Sequence, residues 1–334
     1  MPALEVIASG VHTTIQDRGR TGFQDVGVPN SGPLDRVSFR LANALVGNPP
    51  GTAALEMLLQ GPTLKVLADS VRVALVGCSA SIETRPGPDP AFGSRSGVRT
   101  GNPRLVPAGQ SVRLVRDEIF RVGALGDSVC AYLAIEGGPD IPHVLGSAST
   151  YVRGALGGLD GRRFRPRDLL PLKLDAVDVR AEHALARPLD LAFDQPISVV
   201  LGPQADYFTD DAVQTFLSSE FTVSNQADRM GYRLEGPVLA HAKGYNIVSD
   251  GIVTGSIQVP GSGRPIVLMV DNQTTGGYPK IATVISADIP VVGRRRPGRT
   301  MRFVAVDVRE AERLRKQHEA AIDHEAKAIR PMRE

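Results

Sequence analysis

The sequence predicts a mainly β protein with a few helices, and three of its features lead to this prediction. The 334 residues include 35 glycines and 25 prolines, which favours many turns between short strands. Short apolar runs follow one another along the chain, for example at residues 71–76 and 129–135. Motifs in the second half also resemble motifs in the first half, which favours a duplicated β unit.

The proposed duplication depends on matches at a fixed spacing of 193 residues, given by 224 − 31. At this spacing Ser31 and Phe39 fall opposite Ser224 and Tyr232. Two pairs of apolar triplets also align: residues 64–66 with 257–259, and residues 73–75 with 266–268. A polar stretch with two prolines, residues 181–196, is the predicted linker. We therefore predict an N-terminal β module with an insertion (1–192), a C-terminal β module (193–306) and a helical tail (307–334).

Two helices are predicted within this β framework. The first follows the turn at residues 29–33, because Pro33 suits the first helical position and Asp35 suits the first turn. Apolar residues recur there at helical spacing, and Gly47 fits the C-terminal cap. The second lies in the tail, where alanine, glutamate, lysine and arginine predominate and the apolar stripe is thin. We expect this tail helix to be largely solvated, with partner binding as the alternative.

Composition excludes several classes of partner. The net charge of +2 is too small to favour nucleic acid or a membrane surface, and tryptophan is absent. The N-terminus lacks the pattern of a signal peptide, and no apolar run approaches the length of about 20 residues that spans a bilayer. Cys78 and Cys130 both lie in apolar stretches. Two buried free thiols in a cytoplasmic protein are expected, with a disulfide between them as the alternative.

Motifs for metals, nucleotides and attached cofactors are not found in the sequence. Neither the paired histidines of a zinc helix nor paired cysteines occur, so no metal site is predicted. No phosphate-binding glycine motif and no biotin-carrier lysine motif occur either. We expect that this chain binds no cofactor through its own motifs and that ATP or biotin is supplied through partner proteins. The basic run at residues 294–296 is interpreted as a solvated turn.

The stretch at residues 271–280 is where the chemistry is predicted. It joins two apolar runs, residues 265–270 and 281–287, which are predicted to be buried strands. Its side chains offer an amide, two hydroxyls, a phenol and a cation, and two consecutive glycines allow a close approach of ligand or a positive φ. Such a loop can bind a carboxylate or stabilise a developing oxyanion. The alternative is a glycine hairpin with polar residues facing water.

Six motifs together resemble the biotin-dependent carboxyltransferase A/B family over residues 6–303. They are Thr13-Thr14-Ile15-Gln16-Asp17, Pro29-x-Ser31-Gly32-x2-Asp35, Leu41-Ala42-Asn43-x-Leu45-Val46-Gly47-Asn48, Arg229-Met230-Gly231-Tyr232-Arg233-Leu234, Gly255-Ser256-Ile257-Gln258-Val259-Pro260 and Gln273-Thr274-Thr275-Gly276-Gly277-Tyr278-Pro279-Lys280. The resemblance implies two β-barrel modules of cyclophilin-like type. It also implies a partner, the small first member of such pairs, which is the B subunit of 5-oxoprolinase or a chain like allophanate hydrolase subunit 1.

The same resemblance implies three possible functions. The first is that of the C subunit of an ATP-dependent 5-oxoprolinase, which opens a lactam to give glutamate and involves a lactam-utilisation protein, the A subunit. The second is the transfer of a carboxyl group from carboxybiotin to urea or another amide, as in allophanate hydrolase subunit 2-like chains. The third is a non-catalytic role as regulatory partner of a protein that resembles a kinase inhibitor. We favour the first, with a small amide as the substrate.

Either reaction needs groups that hold an anion, stabilise negative charge on an oxygen and exchange a proton. The candidate catalytic residues are Lys280, Tyr278, Gln273 and Thr275. The candidate substrate-binding residues are Thr274, Gly276, Gly277, Arg229, Arg233, Gln258, Asp17 and Ser31. The two arginines can clamp a carboxylate in bidentate fashion or form structural salt bridges. Lys280 is predicted to face a cleft between the domains rather than bulk water.

Overall fold

The computed structural model describes residues 2–85, 103–192 and 195–332. The chain divides into two compact units. Unit 1 comprises Met1–Gly19, Arg36–Leu191 and Ile322–Glu334, and unit 2 comprises Arg20–Asp35 and Ala192–Ala321. Residues 193 and 194 of the predicted linker lie outside the described residues.

The described residues form short strands and four α-helices, numbered here in chain order. The strands are β1 (Ala3–Ala8), β2 (His12–Gln16), β3 (Ala54–Leu58), β4 (Thr63–Val66), β5 (Ser70–Val76), β6 (Ser81–Arg85), β7 (Arg104–Pro107), β8 (Ser111–Val115), β9 (Ile119–Val122), β10 (Cys130–Ile135), β11 (Leu169–Pro171), β12 (His183–Ala184), β13 (Ile197–Leu201), β14 (Phe221–Val223), β15 (Gly231–Glu235), β16 (Asp250–Gly251), β17 (Ser256–Gln258), β18 (Ile266–Leu268), β19 (Thr275–Gly276), β20 (Lys280–Val284), β21 (Thr300–Met301), β22 (Phe303–Ala305) and β23 (Arg330–Pro331). The helices are α1 (Arg36–Leu45), α2 (Asp210–Ser218), α3 (Ile289–Arg294) and α4 (Val308–Lys327). The predicted mainly β class is confirmed.

Unit 1 is built on two antiparallel sheets. One has the strand order β11-β1-β4-β9-β6-β7 and the other has the order β2-β3-β10-β5-β8. Buried apolar side chains from both sheets form one core, for example Leu64 and Val122 from the first sheet and Leu55 and Leu133 from the second. Burial of this kind stabilises the unit by about 25 cal/mol for each Å² of apolar surface. The apolar runs predicted as strands at residues 71–76 and 129–135 are confirmed as β5 and β10.

Unit 2 contains an eight-stranded sheet that curves almost into a closed barrel. Its strand order is β21-β14-β15-β18-β17-β20-β13-β22, so the edge strands β21 and β22 are consecutive in the chain. Arg302 alone separates them. Because one residue links the two edges, the sheet must turn nearly full circle between them. Phe216 of α2 stacks on Phe303 with ring centroids 4.6 Å apart, and Phe221 lies 6.0 Å from both rings.

The first predicted helix is confirmed as α1, but it begins later than the sequence indicates. Helix α1 begins at Arg36, so Pro33 and Asp35 precede it. Ser31, in the turn before the helix, has φ 53°. Asp35 is completely buried and accepts a hydrogen bond from Arg294 Nη1 at 3.1 Å. This tertiary ion pair determines the conformation before the helix, and local propensity does not reveal it.

The interpretation of residues 294–296 as a solvated turn is wrong. Arg294 is the last residue of α3, and both Arg294 and Arg295 are buried. Arg294 pairs with Asp35, and Arg295 Nη1 donates to the carbonyl of Thr300. Two buried arginines are stable here because each guanidinium has an oxygen acceptor. The run therefore anchors the loop at residues 31–35 to α3 in unit 2.

The residue matches at a spacing of 193 do not join equivalent elements, and this part of the duplication is wrong. Phe39 lies in α1, whereas Tyr232 lies in β15. Strands β4 and β5 belong to different sheets of unit 1. Their supposed counterparts β17 and β18 are neighbours in one sheet, with Gln258 opposite Ile266. Apolar triplets recur in any β-rich chain, and these matches reflect that recurrence.

The remaining predictions concern the tail and the cysteines. Helix α4 confirms the predicted tail helix, and Ile322 is its one buried residue. Cys78 and Cys130 are buried and neither forms a disulfide, which excludes the bond between them. Burial raises the pKa of the Cys78 thiol to about 11, so this sulfur stays protonated at neutral pH. Within the described ranges, no helix has the length and apolar character needed to cross a membrane.

Candidate functional site

The predicted loop lies between β18 and β20 in unit 2, and its residues 274–277 pair through backbone hydrogen bonds with residues 247–252. Asp250 and Gly251 of β16 pair with Gly276 and Thr275 of β19 in a two-stranded antiparallel ladder. Backbone hydrogen bonds continue on both sides of this ladder. The amide of residue 252 donates to the carbonyl of residue 274, and the amide of residue 247 donates to the carbonyl of residue 277. We call the four residues of β16 and β19 the cover ladder. It places the acidic side chain of Asp250 next to the candidate loop.

Lys280 begins β20 and is 4% exposed. Its Nζ donates to Asp250 Oδ2 at 2.6 Å and to the carbonyl oxygen of Gly251 at 3.3 Å. The two side chains of this ion pair differ greatly in exposure, at 5% for Lys280 and 51% for Asp250. A buried ammonium requires an anion or several acceptors, because desolvation of an unpaired charge is costly. Asp250 supplies that anion from the solvent side.

Gln204 joins the same group although it lies far away in the sequence. Its Nε2 donates to Asp250 Oδ2 at 3.2 Å, and its Oε1 accepts from the backbone amide of Lys280 at 3.3 Å. The Lys280 ammonium lowers the pKa of Asp250, and the amide of Gly251 lowers it further. One carboxylate oxygen thus receives both an ammonium and an amide donor, which is a suitable arrangement for holding a carboxylate.

Gln258 of β17 lies opposite Lys280 in the eight-stranded sheet. It is 2% exposed, and its Nε2 has no hydrogen-bond partner among the residues that the structure describes. A Cβ placed on Gly276 would come within 2.5 Å of this nitrogen and of Ile252 Cδ1. A larger residue at 276 would therefore displace the ends of the Gln258 and Ile252 side chains. The positive φ proposed for Gly276 and Gly277 is wrong, since neither residue has one.

The other side chains of the loop have more contact with water. Gln273, Thr275 and Tyr278 are exposed, and Thr274 and Gly277 are half-buried. The structure therefore brings Lys280 and Gln258 close to the cover ladder, to which Gly276 belongs, and it leaves Thr275 and Tyr278 exposed on the outer side of the loop. Their catalytic roles stay predictions.

Arg229 and Arg233 do not act together. Arg229 is buried and donates to both carboxylate oxygens of Asp271, from Nε at 2.7 Å and from Nη2 at 3.1 Å. Its Nη2 also donates to the carbonyl of Gly32 at 2.9 Å. Arg233 is exposed, and its Nη1 donates to the carbonyl of Gln226 at 3.4 Å. Arg229 thus forms the structural salt bridge that the sequence left as one of two alternatives.

Ser31 lies beside this salt bridge. Its amide donates to the carbonyl of Val270 at 3.0 Å, and its side chain is buried. In the described part of the chain, Ser31 Oγ has no hydrogen-bond partner. Its φ of 53° is unusual for a residue with a side chain. Ser31 therefore belongs to the loop that Arg229 fixes, and its role in substrate binding stays a prediction.

Asp17 belongs to unit 1, whereas the loop at residues 271–280 belongs to unit 2. Its carboxylate accepts from Ser147 Oγ at 2.5 Å, Ser149 Oγ at 2.7 Å, and the amides of Ala148 and Gly19 at 2.7 Å and 2.9 Å. Burial acts to raise the pKa of Asp17, but these four donors outweigh it and the pKa lies below its ordinary value. All four bonds are internal, which is typical of a structural carboxylate.

Asp250 and Gln204 were missed by sequence reasoning. A lysine at the start of an apolar strand indicates that an anion must lie nearby. The sequence offers several acids as that anion, and Asp250 is 30 residues away from Lys280. The Asp-Gly dipeptide at 250–251 is typical of a turn and indicates nothing about a lysine. Only the pairing of β16 with β19 identifies the acid.

Comparison with known proteins places these features in context. The family model of the carboxyltransferase domain, subdomain A and B, matches residues 26–305. The chain is 34% identical to the C subunit of 5-oxoprolinase from Escherichia coli K12 over 93% of this chain and 94% of that protein. It is 30% identical to urea amidolyase of Saccharomyces cerevisiae over 96% of this chain but only 17% of that protein. The crystal structure of K. lactis urea amidolyase superposes with a TM-score of 0.84 at 31% identity, over 96% of this chain and 20% of that one.

Proposed function

The chain belongs to the family of the carboxyltransferase domain, subdomain A and B, and from this premise we infer that it is the C subunit of an ATP-dependent 5-oxoprolinase. In this function it acts with partner subunits to open the lactam ring of 5-oxoproline and release glutamate. The partners in the proposal are a small protein like the B subunit of 5-oxoprolinase and a lactam-utilisation protein as the A subunit. We place the complex in the cytoplasm, where the free thiols of Cys78 and Cys130 stay reduced.

The observation that carries this proposal is the buried ammonium of Lys280, held by one half-exposed carboxylate beside Gln258, whose Nε2 has no hydrogen-bond partner among the described residues. 5-Oxoproline presents a carboxylate and a lactam carbonyl, which match an ammonium and an amide donor. The lengths of the relatives also support it. This chain spans 94% and 96% of the two proteins named as C subunits of 5-oxoprolinase, but about a fifth of the urea amidolyases.

In the proposed reaction this chain positions the substrate and stabilises charge. Lys280 holds the anion, and the donors of the loop stabilise negative charge that develops on the amide oxygen. Tyr278 and Thr275 lie at the outer side of the loop, where they can exchange a proton with solvent or with a partner. ATP is supplied through a partner protein, because this sequence has no phosphate-binding motif of its own.

Carboxyl transfer from carboxybiotin to urea or another amide is the second candidate. The TM-score of 0.84 to K. lactis urea amidolyase favours it, because the superposition covers 96% of this chain. The chemical requirement is similar, since a carboxylated carrier is an anion and urea has a polar carbonyl. In this case biotin is carried by another protein or another domain, and the product is a carboxylated amide.

Reconstitution decides between these candidates. The purified chain alone should neither hydrolyse ATP nor open 5-oxoproline, and addition of the A and B subunits should give turnover of both. Glutamate and ADP are measured by coupled assays in parallel with urea and carboxybiotin as the alternative substrates. A complete complex that consumes urea or another amide with carboxybiotin and ignores 5-oxoproline would show that the favoured substrate is wrong.

A regulatory role without chemistry is distinguished by partner affinity. Lys280→Ala should abolish turnover in the reconstituted complex while the affinity for the small B partner, measured by calorimetry, stays unchanged. If affinity and activity fall together, the loop at residues 271–280 is part of an interface instead.

A further inference from the structure

The cover ladder lies over two buried polar side chains of the eight-stranded sheet. Gln258 and Lys280 pair on the neighbouring strands β17 and β20 at an irregularity in their register, and both side chains lie next to residues of the cover ladder. Gly276 of the cover ladder approaches the Gln258 amide so closely that a Cβ there would be 2.5 Å from Nε2. Asp250, the ladder partner of Gly276, reaches the Lys280 ammonium. The cover ladder therefore closes over a donor pair.

The carboxylate of Asp250 occupies a receptor formed by residues on other elements. Lys280 Nζ and Gln204 Nε2 both donate to its Oδ2 atom, at 2.6 Å and 3.2 Å. Lys280 and Gln204 are fixed to each other through the Lys280 amide and Gln204 Oε1. Asp250 itself is half exposed, so water can solvate its carboxylate as soon as it leaves the receptor. In the receptor Lys280 is buried and Gln204 is half-buried, whereas the occupant Asp250 is exposed.

Gln258 Nε2 is a buried donor that, within the described residues, nothing satisfies. Leaving such a donor unpaired is unfavourable, because it loses its hydrogen bonds to water without replacement. Gly276 leaves this nitrogen the space that a side chain would fill. Asp250 and Gly276, which pair in the cover ladder, each lie next to one of these groups. Asp250 occupies the carboxylate receptor, and Gly276 lies beside the unsatisfied Nε2 of Gln258. Together they define a ligand with two acceptors, one anionic and one neutral.

We propose that Asp250 is a displaceable stand-in for the carboxylate of the substrate, which takes its place on Lys280 and Gln204 while an amide carbonyl of the same molecule accepts from Gln258. The ligand class is a small carboxylate that also has an amide oxygen. This inference rests on the proposed function and selects within it, because 5-oxoproline has both groups and urea has no carboxylate.

Charge balance requires an anionic ligand. The side chain of Lys280 is 5% exposed while Asp250 is in place, so its ammonium needs another anion when Asp250 leaves. A carboxylate ligand restores the neutral pair, whereas a neutral amide leaves a buried charge uncompensated. Asp250 therefore excludes neutral amides and competes with carboxylates. In this way the cover ladder contributes to specificity without touching the reacting bond.

The competition is tested by removing the charge of Asp250 in the assembled complex. The probes are 5-oxoproline, N-acetylglycine as an open-chain amide carboxylate, and 2-pyrrolidinone as a lactam without a carboxylate. Asp250→Asn should bind the two carboxylates roughly tenfold more tightly, the scale of one charge-assisted hydrogen bond. Its affinity for 2-pyrrolidinone should stay unchanged. Calorimetry or a fluorescence titration gives the dissociation constants.

Asp206→Asn is the matched control. Asp206 pairs with Lys243 in the same unit, and both side chains of that pair are more than half exposed. Its loss should leave all three affinities unchanged. In the double variant Asp250→Asn with Lys280→Met the gain should disappear, since the receptor has lost its cation.

The outcomes separate this inference from the proposed function. If Asp250→Asn binds the carboxylates no more tightly than the wild type, or gains equally for 2-pyrrolidinone, the inference is overturned whatever the enzyme turns over. If the variant gains for the carboxylates alone, the inference holds even where the wild-type complex does not open 5-oxoproline. Turnover of 5-oxoproline by the wild type tests only the proposed function.

Discussion

Two of the ion pairs in unit 2 differ in the exposure of their acidic residue to water. In the pair of Arg229 and Asp271, both side chains are buried, with 5% and 8% exposure. In the pair of Lys280 and Asp250, the cation is 5% exposed and the acid 51%. Arg229 also holds the carbonyl of Gly32, whereas Lys280 also holds the carbonyl of Gly251 beside its acid. The two pairs differ mainly in whether the acid can leave.

This difference separates a structural pair from an exchangeable one. Neither Arg229 nor Asp271 can be solvated without moving the loop at residues 31–35 or the loop that follows β18. Asp250 can turn into water while the barrel stays intact, because it lies on a two-residue strand at the surface. Arg229 and Lys280 are both basic residues near a loop in the sequence, but Arg229 forms a structural ion pair and Lys280 an exchangeable one.

Removal of Arg229 should give the largest effect on stability. Arg229→Met leaves Asp271 as a buried charge without its bidentate partner, which typically costs about 3–5 kcal/mol. Chemical denaturation monitored by circular dichroism measures the free energy of unfolding. The double variant Arg229→Met with Asp271→Leu is the control and should recover part of the loss, because it removes both charges. If Arg229→Met unfolds like the wild type, the buried pair does not stabilise the fold, and the proposed difference between the two ion pairs is wrong.

Lys280→Met should instead affect turnover. The thioether keeps most of the bulk of the side chain and removes the charge, and the released Asp250 is solvated. The free energy of unfolding should change by less than about 1 kcal/mol. Turnover of the reconstituted complex should fall by roughly 10²–10³, the scale of one lost oxyanion donor. Near-normal turnover, or a loss of stability as large as that of Arg229→Met, would make the two pairs equivalent.

Much of the fold can be predicted from the sequence, because apolar periodicity is a local signal. The strands β5 and β10 and the helices α1 and α4 all follow from it. The start of α1 cannot be predicted in this way, since Asp35 is bound by Arg294, which lies 259 residues later. The burial of Arg294 follows from the same contact. A local pattern shows that a residue is polar, but it does not show whether a distant partner compensates its charge.

In the candidate site, too, the local features can be predicted from the sequence and the distant contacts cannot. The loop at 271–280 and the choice of Lys280 and Gln258 as candidates follow motifs in the sequence, whereas their pairing on neighbouring strands appears only in the structure. Asp250 and Gln204, which complete the receptor, are 30 and 76 residues from Lys280 and belong to segments without a distinctive pattern. Their role depends on the register of β16 with β19 and on the turn after β13. Both are properties of the tertiary structure.

A third carboxylate, Asp17, is buried like Asp271, but neutral hydrogen-bond donors hold it instead of a cation. Asp17→Asn should cost about 1–3 kcal/mol at neutral pH, because an amide group cannot satisfy all four donors around it. The folded-state pKa of Asp17 lies below its ordinary value of 3.8. Its contribution to stability is therefore fully present above that value and is lost as the pH falls through the folded-state pKa. Unfolding curves of the variant and the wild type should converge as the solution becomes more acidic. A gap that stays constant with pH would show that packing, and not charge, determines the effect.

Thr275→Ala should give the smallest effect, and it tests whether the outer side of the cover ladder differs from its inner side. Thr275 lies opposite Gly251 in the cover ladder, next to the pair of Asp250 and Gly276, but its side chain is exposed. The free energy of unfolding should change by no more than about 0.5 kcal/mol, as for most surface substitutions. A hydroxyl that water can replace contributes about 0.5–1.5 kcal/mol through one hydrogen bond, so turnover should fall by roughly tenfold at most. Affinity for the small B partner should stay unchanged. A fall in turnover as large as that of Lys280→Met would show that the reacting groups lie on the outer side of the loop, and that the buried receptor beneath the cover ladder serves binding alone.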